Sequence, residues 1–301
     1  MRRFPIATLA AISLFLSTSI AQERSTNQIA RRSDATPKNL TEMVTTIKDC
    51  VVRVTARFPN GVSSGTGFIV NTDGIVITAK HVIYPFGPSV APQDIEIGIR
   101  LPTVKGNLKI LSSWQIFRST AIVATDDSHD IALLRTNRPL APFVFLKTPT
   151  RSIEVKPSAG ILDVSELRDG ESVFTSGYPL DFPILITTSG AIASSDPITT
   201  EGLNILDIYW ADMQANEGNS GGPLFSRTSG AILGMVEGYR DAPVTFQGSQ
   251  DQGQGVTKMP DGSLLPRPLV YNSGIALIVP AHYVADLLRS NGIRYEINKR
   301  R

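Results

Sequence analysis

The chain predicts an all-β fold, a barrel or a sandwich. Short apolar runs recur through most of its length, turn residues (Gly, Pro, Asn, Asp) punctuate them, and helical spacing is confined to one stretch near each end. Residues 1–21 read as an export signal. Met1-Arg2-Arg3 is basic, Ile6 to Ile20 carries no charge, and Ser19-Ile20-Ala21 puts small residues where a signal peptidase cuts, after Ala21. The apolar stretch is short for a membrane span, which argues against an uncleaved anchor. The expectation is a secreted or periplasmic protein with no membrane contact once the signal is removed.

Residues 22–38 (QERSTNQIARRSDATPK) are polar and without period, which predicts a flexible linker. Leu40, Met43, Val44 and Ile47 then recur at helical spacing and predict a short helix over 39–48. From there the pattern is β. Strands are predicted at Val51–Phe58, at Gly67–Val70 and Gly74–Thr78 around an Asp73-Gly74 turn, and at Ile95–Leu101, Leu108–Ser112, Ile116–Thr125 and Ile131–Arg135. Residues 136–170 read as a connection between two β halves. The second half holds Ser172–Tyr178, Ile184–Ile192, Asn204–Trp210, Ala231–Val236 and Gly274–Val279. Between its last two strands, 240–272 is rich in Gly, Gln, Asp and Pro and predicts a long loop or hairpin, a length that tends to be functional or disordered. Pro280 to Ser290, with Asn291-Gly292 as a stop, predicts a closing helix.

Composition narrows the function. The 301 residues carry 29 Lys+Arg and 27 Asp+Glu, and the signal removes Arg2 and Arg3 but no acid, so the mature chain is formally neutral. Nothing in that balance favours nucleic acid or another polyanion. The single cysteine, Cys50, excludes an intrachain disulfide and fits a buried thiol at the edge of a strand. No Rossmann or P-loop signature and no internal repeat is present.

The chemistry gathers around Gly218-Asn219-Ser220-Gly221-Gly222-Pro223-Leu224. One hydroxyl among glycines is either a plain Gly-rich turn or a nucleophile displayed beside bare amide N–H groups. Serine needs a base, and imidazole is the natural one near neutral pH. Of the three histidines, His81 follows the Gly74–Thr78 strand directly, His129 adjoins Asp130, and His282 sits in the first turn of the closing helix. Asp130 abuts the apolar run Ile131–Leu134, where a carboxylate can be held at the edge of a core. His81, Asp130 and Ser220 fall in the chain order His–Asp–Ser.

With these residues in view, the chain resembles chymotrypsin-fold, trypsin-like serine proteases, and most closely the HtrA/Deg branch of exported bacterial enzymes. The stretches that carry the likeness are Gly65-Thr66-Gly67-Phe68-Ile69-Val70, Thr78-Ala79-Lys80-His81-Val82, Asp130-Ile131-Ala132-Leu133-Leu134, Thr188-Ser189-Gly190 and the Ser220 loop, in order over about residues 45–292. The resemblance implies two six-stranded antiparallel β-barrels, about 50–140 and about 170–280, forming one protease domain over 39–301 with the site between them. It implies Ser220 as nucleophile, His81 as base and acid, Asp130 as orienting carboxylate, and the N–H groups of Gly218 and Ser220 as oxyanion hole. It implies no metal and no organic cofactor, and protein or peptide substrates as the partners. By position, Gln214 would lie at the base of the specificity pocket with Glu237, Gly238 and Tyr239 along its wall, and a neutral Gln214 favours small or medium apolar P1 residues.

Two departures qualify the likeness. The branch usually carries a C-terminal PDZ domain, which is not expected after the closing helix, and oligomerisation is not supported by any segment. The 240–272 insertion is also long for its place and could line or cover the pocket. A non-catalytic scaffold with an occluded or collapsed site is the alternative to an active endopeptidase, and an esterase on an α/β-hydrolase fold conflicts with the residue order.

Overall fold

Alternation builds the first half of the molecule. In Val51–Phe58 the side chains of Val52, Val54, Ala56 and Phe58 are buried while Arg57 is exposed, the period of a strand with one face on a core. The computed structural model describes residues 28–31, 39–100, 114–140, 143–147, 152–155, 158–198, 207–243, 250–251, 256–258, 263–266 and 270–298. Its first sheet runs, in hydrogen-bonded order, Trp114–Phe117, Asp94–Arg100, Val51–Phe58, Gly61–Asn71, Ile75–Ala79, Ile131–Arg135, Ala121–Asp126, with every neighbour antiparallel. The two edge strands are consecutive in the chain, parted only by Arg118-Ser119-Thr120, where Ser119 takes a left-handed φ of 53°. They are the halves of the single run predicted from Ile116 to Thr125. One bent strand therefore supplies both edges, and the sheet curls into a barrel with no long free edge. Phe68, Ile69, Ile77, Ile97, Ile131 and Leu133 from its strands all belong to one buried apolar cluster.

The second half closes by its own ladder. Ser172–Gly177, Ile186–Ile198, Ile208–Asp212, Val270–Pro280, Ile232–Pro243 and Pro223–Ser226 pair in that order, and the last pairs back to the first. This is a closed six-stranded antiparallel barrel, lined by Val173, Ile192, Leu224, Leu233, Val236 and Ile278. The expected all-β, double-barrel class is what the chain adopts.

The helix Ala281–Ser290 buries Val284, Ala285 and Leu288 into the same apolar cluster as the first barrel, so the chain's end ties the halves together. The N-terminal helix spans Leu40–Ile47 and sets Met43 on that cluster. Several parts of the fold differ from the sequence reading, among them Pro223–Ser226, a strand of the second barrel that the sequence does not predict. Tyr295–Asn298, beyond the closing helix, is a strand that pairs in parallel with Ile161–Leu162 and with Gln28–Arg31. Gln28–Arg31 lies within the stretch that the sequence predicts as a flexible linker. Backbone pairing to an available edge needs no apolar period, so the polar sequence hid it. The 136–170 connection contains an antiparallel pair, Phe143–Lys147 with Ser152–Val155.

The 240–272 stretch is in part an extension of the barrel, because two of its strands continue outward until Pro243 faces Val270. Beyond them Gln250–Asp251, Val256–Lys258 and Leu264–Pro266 pair antiparallel. The export signal and the strand expected at Leu108–Ser112 lie outside the described residues. Among the described residues no helix is long and apolar enough to cross a membrane.

Candidate active site

Adjacent strands set the first two residues of the site. Ile75–Ala79 and Ile131–Arg135 are paired so that Ala79 faces Ile131, which places the residues just beyond them, Lys80-His81 and Asp130, side by side. Asp130 turns out of the strand at a left-handed φ of 53° and is 8% exposed. Its backbone carbonyl accepts the Lys80 N–H at 2.8 Å. Its Oδ1 accepts the His81 backbone N–H at 3.0 Å, and its Oδ2 lies 2.6 Å from His81 Nδ1. Both carboxylate oxygens therefore hold one residue, fixing the ring and leaving Nε2 as the free nitrogen.

Burial of the imidazole opposes its charged form. The hydrogen bond and charge of Asp130, joined by the charge of Glu237, outweigh that, so His81 titrates above an ordinary histidine.

The Ser220 loop comes from the second barrel but is fastened to the first. Thr66 N–H donates to the Ser220 carbonyl at 2.9 Å, and Thr66 Oγ1 donates to the Gly218 carbonyl at 2.6 Å while accepting the Tyr178 N–H at 3.0 Å. Gly221 has φ 83°, and a Cβ there would lie 2.2 Å from the Thr66 carbonyl oxygen and 2.6 Å from Ala79 N. Only glycine lets the loop press this close to the strand end that carries His81. The Ser220 hydroxyl is bonded to no protein group among the described residues, and no hydrogen bond joins it to His81.

Beside that hydroxyl the backbone presents donors. Asn219 N–H closes a turn on the Asn216 carbonyl at 3.0 Å, and Gly218 within it has φ 90°. The Glu217 carbonyl is taken by Leu180 N–H at 2.7 Å. In a trans peptide C=O and N–H point in opposite directions, so fixing that carbonyl turns the Gly218 N–H the other way. Neither Gly218 N–H nor Ser220 N–H has a protein acceptor among the described residues. Leu180 and Asp181 reach this place in left-handed conformations, φ 54° and 57°, with Arg53 2.9 Å from the Asp181 carboxylate.

The remaining candidates scatter. Gln214 is exposed and its carbonyl accepts Thr188 Oγ1 at 2.9 Å. Tyr239 rests against the second barrel's core, and a Cβ on Gly238 would meet nothing within 4 Å. Glu237 goes elsewhere: one oxygen of its carboxylate, a ring nitrogen of His81 and an oxygen of Asp130 all lie within 4.8 Å of one another. Such a set has the spacing to share a cation. Asp130 Oδ2 is committed to His81 Nδ1 and Oδ1 to the His81 backbone N–H, so the set is electrostatic rather than a vacant ligand shell. His129 is used structurally. Its Nδ1 lies 2.7 Å from Asp126 Oδ2, and its ring stacks at 3.5 Å on Tyr283 of the closing helix, whose hydroxyl donates to Asp207. His282 packs against Tyr283 as well.

Sequence reasoning missed the fastening role of Thr66 and the placement of Glu237. The signal for Glu237 was present, since it abuts the apolar run Ile232–Val236 much as Asp130 abuts Ile131–Leu134.

Residues 65–235 match the model of the trypsin-like peptidase domain. A probable periplasmic serine endoprotease, DegP-like, of Pseudomonas putida (strain GB-1) is 31% identical over 173 residues, 58% of this chain and 28% of its own length. Protease Do-like 1, chloroplastic, of Arabidopsis thaliana is 30% identical over 175 residues, 57% of this chain and 32% of its own. The chain thus spans under a third of these relatives. Among solved structures, HtrA-type protease AlgW with tripeptide aligns over 83% of this chain and 62% of its own, with TM-score 0.54 at 16% identity. The Rv3671c protease in its inactive form aligns over 86% and 98%, with TM-score 0.51 at 19% identity. At such identities these structures speak to the fold alone.

Proposed function

The chain belongs to the trypsin-like peptidase family, on its HtrA branch, and from that premise we propose that it is an exported serine endopeptidase acting through His81, Asp130 and Ser220. The observation that carries this reading is the grip of Asp130 on His81 through both carboxylate oxygens, at the strand end against which the Ser220 loop is packed. Asp130 holds the imidazole in the tautomer that leaves Nε2 able to accept a proton. Nε2 takes the Ser220 hydroxyl proton as Oγ attacks the scissile carbonyl. The developing oxyanion is received by the N–H groups of Gly218 and Ser220, which have no protein acceptor to give up among the described residues. His81 then protonates the leaving amine, and a water activated by the same nitrogen resolves the acyl-enzyme.

In the free enzyme a long Ser–His contact is ordinary, because such bonds tighten when substrate arrives. The substrates are proteins or peptides, and the neutral side chain of Gln214 favours small or medium apolar P1 residues. Cleavage after Ala21 releases the enzyme to the periplasm or the medium, in keeping with the periplasmic relatives.

Labelling with a fluorophosphonate tests this reading. Wild type should react at one site, Ser220→Ala should not react, and His81→Ala should react far more slowly. An intact fold that takes no label would leave the scaffold reading instead.

A further inference from the structure

Glu237 sits where regular strand geometry would not put it. Along the antiparallel pair Ile232–Pro243 and Val270–Pro280, Val236 faces Ile278 and Gly238 faces Leu277, so Glu237 is the extra residue of a β-bulge. A bulge breaks the alternation and re-aims the side chain it carries. Here the carboxylate is delivered to within 4.8 Å of both His81 and Asp130, across the junction between the barrels. The preceding residue is stitched to the nucleophile's own loop: Val236 C=O accepts Gly221 N–H at 2.7 Å, and Val236 N–H donates to Gly222 C=O at 2.8 Å. Glu237 is therefore held in register with Ser220 as well as with the His–Asp pair.

We propose that Glu237 is a positioning residue of this site, a second carboxylate whose charge raises the pH at which His81 becomes a free base and steadies the imidazolium during proton transfer. The inference rests on the protease reading for its catalytic consequence, but the electrostatic coupling can be read without turnover. No hydrogen bond ties the Glu237 carboxylate to either neighbour among the described residues, so the coupling is through charge. Burial holds the Glu237 carboxyl above the usual carboxylate range, with His81 drawing it down and Asp130 pushing it further up.

The groups that act on His81 are Asp130 and Glu237, and those that act on Glu237 are His81 and Asp130. Nearby charges are engaged elsewhere: Lys80 with Asp127 at 2.7 Å, and His129 with Asp126 at 2.7 Å. With Glu237 ionised, two carboxylates face one imidazole, and protonating His81 relieves their mutual repulsion as well as satisfying Asp130. The cost is a base that is available only at higher pH.

The test titrates the imidazoles by NMR in the mature protein carrying Ser220→Ala, with and without Glu237→Gln, and records kcat/KM against pH for the active protein with and without Glu237→Gln. The His81 signal is identified by its loss in His81→Ala. Glu237→Gln should lower the His81 midpoint and the acid limb of kcat/KM together by about one pH unit, roughly tenfold in the balance of base and acid forms. At the alkaline plateau kcat should fall several-fold with KM little changed. His129 and His282 should keep their midpoints, and Glu237→Asp, which retains the charge, should stay nearer to wild type than Glu237→Gln.

A His81 midpoint unmoved in a folded Glu237→Gln protein overturns the proposal, as does a shift shared equally by all three histidines. If Glu237→Gln does not fold, Glu237→Ala, which also removes the charge, carries the test: a His81 midpoint below that of wild type supports the coupling, and an unchanged one overturns it. A His81 shift in a protein that neither hydrolyses peptides nor takes a fluorophosphonate would instead refute the protease reading and leave the coupling standing.

Discussion

Asp130 and His81 illustrate how much a single residue's surroundings decide. An aspartate beside a core is commonplace, but this one spends both oxygens on one histidine, at 3.0 and 2.6 Å. Ser220→Ala and His81→Ala should each lower kcat by roughly 10⁴–10⁶-fold with little change in folding, since the three residues act as a unit. Asp130→Asn should cost about 10⁴-fold by supplying the wrong tautomer. Wild-type proteolysis in Ser220→Ala would refute the mechanism. The pH dependence follows from the same contacts. His81 is raised above an ordinary histidine and must be neutral to act, so kcat/KM should rise with pH through a midpoint above about 6.5. Stability runs the other way for this group: the contribution of its charged pair with Asp130 is full below the unfolded-state pKa and is lost as pH rises through the folded one. A rate profile flat down to about pH 4 would exclude histidine as the base.

At the scale of elements, a strand of one half holds the loops of the other. Gly61–Asn71 carries Thr66, whose hydroxyl holds the Gly218 carbonyl and the Tyr178 N–H of the other barrel. Thr66→Val keeps the shape but leaves the buried Tyr178 N–H and the half-buried Gly218 carbonyl unpaired, at about 1–3 kcal/mol for the buried one. It also frees the peptide that follows Gly218, the one that carries the Asn219 amide between the two proposed oxyanion donors. We expect kcat/KM to fall at least about tenfold, chiefly in kcat, and the denaturation midpoint to drop. An unchanged kcat in a destabilised Thr66→Val protein would show that this hydroxyl serves the fold alone. Tripeptides such as Gly65-Thr66-Gly67 are visible in a sequence, but their cross-barrel bonds are not, because the partners lie more than a hundred residues away.

For the whole molecule, the ends matter differently from the middle. Gln28–Arg31 adds a short parallel ladder beside Tyr295–Asn298, along the side of the second barrel that Ile161–Leu162 extends. Asn219 precedes Ser220, the proposed nucleophile, and a neutral amide cannot compensate a buried ammonium, so a freed N-terminus should not be needed to shape the proposed oxyanion loop. Proteins beginning at Gln22, with free or blocked amines, and at Asn39 should therefore titrate equally with a fluorophosphonate. The shorter one should lose roughly 1–2 kcal/mol of stability with its ladder. Activity that appears only after one specific cut and disappears when the new amine is acetylated would overturn this.

What the sequence determined by itself is what repeats locally or carries a signature. Period-2 runs and their turn residues placed most strands to within a few residues, because a strand's inward face must be apolar wherever it is read. The order of His81, Asp130 and Ser220, with glycines around the serine, pointed to the chemistry, because few other arrangements need those residue types together. The tertiary structure decided the rest. It broke the predicted Ile116–Thr125 run so that one strand closes both edges of a barrel, and it found an edge partner for a polar segment with no apolar pattern. It used Thr66 as the fastening between the halves, and by a one-residue bulge it turned Glu237 toward the histidine. These outcomes depend on ladder register and on contacts between distant segments, and a one-residue shift in register reverses the face a side chain takes.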